Sequence, residues 1–201
     1  MASIGTLILA AGASSRFNGC KALALFNQQP LLQHAINHSN TITGSHCHIV
    51  TGAWHEDISH YLAKSHYHGS VIHHRQWQQG IGSSIAFAVQ YLDKHYSYDA
   101  ILILLADQIA LCSEDLQRLL QAYTGDNISC AFYHNSPGVP AIFPPHSFKQ
   151  LQQLSGDRGA KRLLSDDRFD ICHVVMPNAA IDIDTRDELL HWQQHDNREE
   201  K

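Results

Sequence analysis

The stretch LAAGASSRFNGCK, residues 9–21, decides the fold predicted for this chain. It continues an apolar run over residues 4–10, which has the length and composition of a buried central strand in a parallel sheet. The stretch is neither the GxxxxGK[ST] loop of P-loop proteins nor the GxGxxG loop of dinucleotide-binding proteins. It is still a loop after a central strand, and open α/β sheets bind ligands beyond the carboxyl ends of their strands.

Two properties of this loop suit an anionic ligand. Its small side chains let a ligand approach the backbone, whose N–H groups bind anionic oxygens, and Arg16 and Lys21 add two cations. We therefore predict a triphosphate site, with an ordinary strand-to-loop turn carrying two exposed cations as the alternative. The predicted nucleotide contacts are Leu9, Ala10, Ala11, Gly12, Ala13 and Ser14, and the predicted catalytic cations are Arg16 and Lys21.

Apolar runs and amphipathic segments alternate along the rest of the chain. This order predicts an α/β fold, in which a mostly parallel sheet is covered by helices on both faces. We expect a single domain over residues 1–196 and a frayed tail at 197–201. Ser113 and Thr185 are the expected N-caps of two helices, and a Ser-Pro-Gly turn at 136–138 is expected between two strands. The predicted strands are 4–10, 48–51, 70–73, 100–106, 128–133, 139–143 and 173–176, and the predicted helices are 30–39, 56–64, 83–94, 113–123, 146–154, 160–164 and 185–195.

The composition is that of a globular protein and excludes several classes. Of the 201 residues, 44% are hydrophobic and 16% are charged, which a disordered chain would not show. The net charge of -5 argues against a general nucleic-acid-binding protein, which normally carries a basic stripe. The run at residues 4–10 is too short to span a bilayer and has no basic flank, so we predict no membrane association and a cytoplasmic location.

Cysteine and histidine do not indicate a disulfide framework or a zinc site. The five cysteines are scattered without a CxxC pair, and Cys20, within the loop, is expected to fill a tolerant position. The 16 histidines include neighbouring pairs but no HExxH pattern. We predict that they are solvated surface residues.

Further segments follow the loop in a definite order: WQQGIGSSI (77–85), LLADQI (104–109), GVPAIF (138–143), LSGDRGAKRLL (154–164) and DIDTRDEL (182–189). Together with the loop, their order and spacing resemble the MobA-like nucleotidyltransferases and, within them, most closely molybdenum cofactor cytidylyltransferase. The resemblance spans about residues 4–190. It implies a Rossmann-like three-layer sandwich of the nucleotide-diphospho-sugar transferase type.

The resemblance also implies roles for residues outside the loop. Asp107 and Asp184 would bind Mg²⁺, a cation that typically uses one or two carboxylates together with substrate phosphates, and Asp182 would orient the site. The other implied contacts are Gln79, Gly80 and Ser84 to base and ribose, and Gly156, Asp157 and Arg158 to a pterin-bearing acceptor.

Simpler structural explanations stand beside these roles. Aspartates at strand ends and before helices are commonly capping residues. A Gly-Asp-Arg-Gly turn at 156–159 needs no function, and Gly80 and Ser84 also suit the start of a helix.

Some positions depart from the family pattern. Asn18 replaces a usual Gly, although Asn tolerates positive φ. Ala106, Ile109 and Val139 replace a usual Gly, Pro and His, and these changes affect the acceptor half more than the nucleotide half. Ala11 stands where guanylyl-transferring relatives tend to carry Gly, which favours CTP.

The resulting hypothesis is transfer of CMP from CTP to molybdenum-molybdopterin, with release of pyrophosphate. The expected partners are CTP, the phosphate-bearing acceptor and a molybdoenzyme client. One alternative is a sugar- or polyol-phosphate nucleotidyltransferase, which would share the loop and the aspartates. The other is a non-enzymatic molybdenum cofactor accessory or insertion protein, against which the intact Lys21, Asp107 and Asp184 argue.

Overall fold

The predicted alternation of strands and helices is confirmed in the computed structural model, which describes residues 3–199. The strands are β1 (Ile4–Ala10), β2 (Leu25–Phe26), β3 (Gln29–Pro30), β4 (Cys47–Thr51), β5 (Val71–His73), β6 (Ala100–Leu105), β7 (Ile128–Tyr133), β8 (Ser136–Phe143) and β9 (Ile171–Val175). The helices are α1 (Leu31–Thr43), α2 (His55–Lys64), α3 (Ile81–His95), α4 (Ser113–Gln121), α5 (Phe148–Leu151) and α6 (Arg186–Glu199). Single 3-10 segments cover Lys21–Leu23, Trp77–Gln79, Pro145–Ser147 and Pro177–Ala180. Gly156–Ser165 consists of two 3-10 segments joined by a kink at Gly159, where φ is 55°.

Seven strands form one sheet in the order β5-β4-β1-β6-β8-β7-β9. The pairs β1–β4, β1–β6, β4–β5 and β7–β9 are parallel, whereas β8 is antiparallel to both of its neighbours. The carboxyl ends of β1, β4, β5 and β6 therefore meet at one edge of the sheet. That edge is where the sequence places its charged and glycine-containing segments.

Successive side chains of the central strands point to opposite faces of the sheet. Ile8 of β1 and Leu102 of β6 are buried against α1, α2 and α4, while Leu7 and Ile101 are buried against α3 and α5. Residues alternate between two cores in this way because both faces are covered by helices, which explains why these strands are apolar at nearly every position. The result is the predicted three-layer arrangement.

Two predictions about turns and caps are wrong. The N-cap of α4 is Cys112 and not Ser113, because the Asp115 carboxylate accepts hydrogen bonds from the backbone N–H and thiol of Cys112. The turn between β7 and β8 lies at His134 and Asn135, with φ of 49° and 56°, and residues 136–138 belong to β8. A two-residue hairpin turn requires positive φ, which Asn adopts readily.

Several element boundaries also differ from the predicted ones. Helix α1 begins at Leu31, directly after Pro30, and continues to Thr43. The helix predicted at 146–154 is a 3-10 turn followed by the short α5, and residues 156–165 are 3-10 on both sides of a kink at Gly159. The small β2–β3 ladder was not predicted. Residues 197–199 of the predicted frayed tail are helical in α6, and residues 200 and 201 lie outside the described residues.

Two histidines predicted to be solvated are buried. His48 is 2% exposed and its Nε2 lies 2.7 Å from the Tyr98 hydroxyl oxygen. His74 is 4% exposed, contacts the hydroxyls of Ser83 and Ser84, and stacks on a phenylalanine ring. Hydrogen bonds from neighbouring side chains offset the cost of burying these rings.

All five cysteines are free, and between residues 3 and 199 no helix has the length and apolarity needed to cross a bilayer.

Candidate active site

A cleft of about 430 Å³ opens at the carboxyl ends of the parallel strands. Its floor is formed by what we call the β1 loop, residues 11–21, and one wall by the start of α3. The predicted residues that line it are Leu9, Ala10, Ala11, Gly12, Ser14, Arg16, Lys21, Gly80, Ser84, Asp107, Asp157 and Asp184. The structure therefore brings the two halves of the predicted site together.

Two cations and two carboxylates meet in this cleft. Lys21 Nζ lies 2.6 Å from Asp107 Oδ2 and 3.2 Å from Asp184 Oδ1, and Arg16 Nη1 lies 2.7 Å from Asp184 Oδ2. The Lys21 side chain is 14% exposed, whereas that of Arg16 is 73% exposed. Lys21 is thus fixed between the carboxylates, while Arg16 reaches them from the solvent side.

Asp182 adds a third carboxylate to this cluster, so three carboxylates face the two cations Arg16 and Lys21. Burial lowers the pKa of Lys21, but Asp107 and Asp184 outweigh burial and raise it. The pKa of Asp182 is raised by its partial burial and by the charges of Asp107 and Asp184. The site therefore favours a positively charged occupant.

The same carboxylates fit a divalent metal ion. Oxygens of Asp107, Asp182 and Asp184 all lie within 4.8 Å of one another, and Asp107 Oδ1 is buried without a hydrogen-bond partner. Carboxylate oxygens are the ligands that hard divalent cations prefer, and a buried carboxylate oxygen without a partner is costly unless a ligand satisfies it.

The two aspartates predicted to bind the metal, Asp107 and Asp184, do not act as helix caps. The N-cap of α6 is Thr185, as predicted. Its hydroxyl accepts a hydrogen bond from the Glu188 N–H. In return the Glu188 carboxylate accepts hydrogen bonds from the N–H groups of Asp184 and Thr185. This reciprocal pair is a capping box. The Ile183 N–H donates to the Asp107 carbonyl, which holds the segment before α6 against the end of β6.

The β1 loop has an unusual backbone held by residues from outside it. Ser14 and Asn18 have φ of 53° and 55°, which confirms that Asn18 tolerates the left-handed conformation expected there. Trp54 Nε1 donates to the Ala13 carbonyl at 2.9 Å. Ala13 is consequently tied to Trp54 and is not among the residues that line the cleft.

Gly80 joins the cleft wall to the segment that begins at Gly156. Its φ is 98°, and a Cβ placed there would lie 2.5 Å from Asp157 Oδ1 and from the Gly156 carbonyl. This contact explains why only glycine fits between them. Gln79 lies beside Gly80 but outside the lining, since its amide contacts Gln76 and Ser83, and Gln78 lines the cleft in its place.

A second hollow of about 310 Å³ adjoins the cleft. Asp157 lines both spaces, and Arg158 and Lys161 line only the second. The tip of the β7–β8 hairpin forms the opposite side. Of the three predicted acceptor residues, Asp157 and Arg158 thus face open space, while Gly156 packs against Gly80.

Sequence analysis missed four residues that shape the site. Trp54 and Trp77 line the cleft; Trp77 opens the quoted WQQGIGSSI segment, but a lone tryptophan after a strand carries no specific signal. Gln108 is 7% exposed and donates to the Val139 and Ala179 carbonyls at 2.9 and 2.8 Å. Arg186 contacts the β1 loop although the two are 168 residues apart in the sequence. A local sequence pattern cannot predict such a contact.

Comparisons with known proteins identify the family and the fold of the chain. The sequence profile of the MobA-like NTP transferase domain matches residues 6–171, while a search of curated proteins finds no match. Rv0371c from Mycobacterium tuberculosis H37Rv, solved in complex with manganese, is similar with a TM-score of 0.75 at 20% identity, over 96% of this chain and 98% of that one. A nucleotidyl transferase from Methanothermobacter gives a TM-score of 0.79 at 18% identity, over 97% and 98% of the two chains.

A third similar structure is CMP:2-keto-3-deoxy-manno-octonic acid synthetase in complex with CTP. Its TM-score is 0.73 at 16% identity, over 98% of this chain and 99% of that one. These likenesses confirm the Rossmann-like, nucleotide-diphospho-sugar transferase type of fold.

Proposed function

The chain belongs to the MobA-like NTP transferase family, and from this membership we propose that it transfers CMP from CTP to molybdenum-molybdopterin. The observation that carries the proposal is the ion-pair cluster of Arg16, Lys21, Asp107 and Asp184 in one cleft. It places cations for a triphosphate directly beside carboxylates for a divalent metal.

The proposed reaction is a displacement at the α-phosphorus of CTP. An oxygen of the acceptor phosphate forms a new P–O bond, and the bond from the α-phosphorus to the oxygen bridging to the β-phosphate breaks, so that pyrophosphate leaves. The acceptor phosphate is already ionised at neutral pH and needs no general base. The protein contributes by positioning the reactants and by offsetting charge.

Within this scheme the chain's residues have distinct tasks. Asp107 and Asp184 would hold Mg²⁺, and Asp182 would add negative charge beside them. Bound Mg²⁺ supplies charge neutralisation and orientation of phosphate oxygens. Lys21 and Arg16 exchange their carboxylate partners for triphosphate oxygens, which are equally good acceptors for charge-assisted hydrogen bonds.

CTP is the proposed nucleotide because of Ala11. This residue lines the cleft and is 7% exposed, and its methyl group reduces the room for a purine compared with the glycine of guanylyl-transferring relatives. Direct competition between CTP and GTP tests the choice. We expect CTP to be preferred, and a preference for GTP overturns this assignment.

The acceptor is proposed to occupy the second hollow. Arg158 and Lys161 give that space two cations, which suits a substrate bearing a phosphate. Asp157 lines both spaces, as do Leu9, Ile81 and Leu105, so the acceptor would adjoin the nucleotide.

The decisive experiment measures pyrophosphate release with each of the four NTPs, with and without molybdopterin loaded with molybdenum. We expect release only with CTP and the pterin acceptor, and none from an Asp107→Asn variant. Release with sugar phosphates or polyol phosphates in place of the pterin favours the sugar-phosphate alternative. Binding of nucleotide without release under any acceptor favours the non-enzymatic alternative.

A further inference from the structure

Arg186 connects the two halves of the cleft without lining it. It is the first residue of α6, two positions after Asp184. Its Nε donates to the Phe17 carbonyl at 3.1 Å and its Nη2 to the Asn18 carbonyl at 3.2 Å. The guanidinium carbon also lies 5.3 Å from the centre of the Phe17 ring.

Helix stability does not explain an arginine at this position. The N-terminal end of a helix carries partial positive charge, so a cation in the first turn is unfavourable there. The first turn of α6 otherwise follows the rule, since it contains Asp187 and Glu188. The contacts of Arg186 lie on the β1 loop, so we expect its effect on that loop and not on the stability of α6.

The β1 loop needs an outside restraint at this point. Ser14 and Asn18 are left-handed, a conformation that non-glycine residues hold only when their surroundings impose it. Within the loop the N–H groups of Phe17 and Asn18 both donate to the Ser14 carbonyl. Arg186 binds the carbonyls of the same two residues, so both sides of this turn are fixed.

Fixing these carbonyls also fixes their neighbours. A peptide unit is planar, so the direction of the Asn18 carbonyl sets that of the Gly19 N–H. Arg16 lies within the Ser14–Asn18 turn, just before the two bound carbonyls, and Lys21 follows it; both side chains reach Asp184. The clamp therefore sets where the two cations stand relative to Asp184.

We propose that Arg186 is a positioning residue that clamps the β1 loop to the start of α6 and so holds Arg16 and Lys21 in register with the triphosphate. The inference rests on the proposed nucleotidyl transfer. It adds a residue that touches neither the nucleotide nor the metal.

The test compares three variants by steady-state kinetics at saturating acceptor and metal. Arg186→Gln removes both the charge and the planar guanidinium that donates to two carbonyls. Arg186→Lys keeps the charge but cannot bind two carbonyls with one planar group. Arg118→Gln is the control, because the exposed Arg118 also donates to a backbone carbonyl, that of Val175, away from the cleft.

We expect Arg186→Gln to raise the KM for CTP about tenfold, the loss typical of a charge-assisted hydrogen bond, with kcat changed less than threefold. The KM of Arg186→Lys should be closer to that of Arg186→Gln than to that of the parent, and the KM of Arg118→Gln should equal that of the parent. A Lys variant that behaves like the parent means that charge alone suffices and overturns the clamp. An unchanged KM in Arg186→Gln overturns it as well.

Hydrogen exchange of the β1 loop amides separates this proposal from the proposed function. Exchange in residues 14–20 should become faster in Arg186→Gln and stay unchanged in Arg118→Gln, and this holds whether or not CTP is the substrate. Faster exchange in a protein without turnover supports the clamp and rejects the activity. Unchanged exchange rejects the clamp even in an active enzyme.

Discussion

Lys21 contacts both carboxylates that the proposed chemistry requires for a metal ion. Its ammonium group therefore competes with that metal as long as no triphosphate is present. The sequence indicated Lys21 as a phosphate contact, because a lysine at the end of a loop rich in small residues is typical of such sites. It did not indicate these ion pairs, since Asp107 and Asp184 are 86 and 163 residues away.

Replacing Lys21 with Met removes the charge and keeps much of the buried aliphatic stem. We expect transfer at limiting CTP to weaken by about 1.5–3 kcal/mol, the value of a lost charge-assisted contact. Mn²⁺ should at the same time bind more tightly in the absence of nucleotide, because Asp107 loses its competing partner. Pyrophosphate release and a Mn²⁺ titration followed by electron paramagnetic resonance measure the two effects.

The exposed Lys64 supplies the matched control, Lys64→Met, which should leave both measurements at the parent values. Parent-like release by the Lys21 variant would remove Lys21 from the phosphate site. Weaker Mn²⁺ binding in that variant would show that Lys21 does not compete with the metal.

Asp107 and Asp184 are expected to act through their charge. Asp107→Asn and Asp184→Asn should each abolish most turnover at ordinary Mg²⁺ concentrations and leave the melting temperature nearly unchanged. Asn serves nearly as well as Asp in a cap, and α6 already has its cap in Thr185, so a ligand role and a structural role give different results. Activity against Mg²⁺ concentration, with a melting curve for each variant, decides between them, and parent-like activity in either variant excludes that aspartate from the metal site.

At the scale of elements, the cleft depends on a close contact between the start of α3 and the 3-10 segment at Gly156–Ser165. The sequence predicted the helix from the spacing of Ile85, Ala88, Val89 and Leu92, all of which are buried. It predicted the Gly-Asp-Arg-Gly segment as a loop. The 3-10 conformation of that segment depends on its packing against the start of α3, where Gly82 contacts Gly156 from 74 residues earlier in the sequence. Local helix propensity cannot predict such a contact.

Two glycine substitutions distinguish the packing of this junction from contact with the nucleotide. Gly80→Ala should lower stability by about 1–3 kcal/mol, since the backbone has φ of 98° and the new Cβ would meet Asp157 and Gly156. Gly12→Ala meets no atom within 4 Å, so it should leave stability unchanged and weaken nucleotide binding by projecting into the cleft. Chemical denaturation and nucleotide titration measure the two properties, and a stable Gly80→Ala variant would contradict the packing argument.

At the scale of the whole molecule, the sequence predicted the architecture and the convergence of distant motifs. It predicted caps, turns and individual side-chain contacts less accurately. Parallel strands align their carboxyl ends, so the segments after β1 and β6 had to converge once the alternation was recognised. The positions of Cys112, His134 and Arg186 depend instead on individual side-chain hydrogen bonds and φ values. The burial of His48 and His74 was missed for the same reason, because histidine is common at surfaces and its burial depends on partners brought from other elements.

The buried His48 makes the stability of the whole fold depend on pH. Its Nδ1 accepts from the Ser70 N–H and its Nε2 therefore donates to the Tyr98 hydroxyl, so the ring is neutral. Burial, with the charge of His46, lowers the pKa of His48 to about 4 from its ordinary value of 6.5. Between these values the unfolded chain binds a proton that the folded chain does not, so stability rises with pH.

Stability should therefore be complete above about pH 6.5 and should fall by up to about 3 kcal/mol as the pH drops toward 4. The measurement is urea denaturation of the parent, His48→Gln and His60→Gln across this range, where His60 is an exposed histidine. His48→Gln should start less stable and lose less on acidification, because glutamine has no proton to gain, and His60→Gln should follow the parent. Equal slopes for the parent and His48→Gln would mean that other groups, and not His48, set the acid sensitivity of the fold.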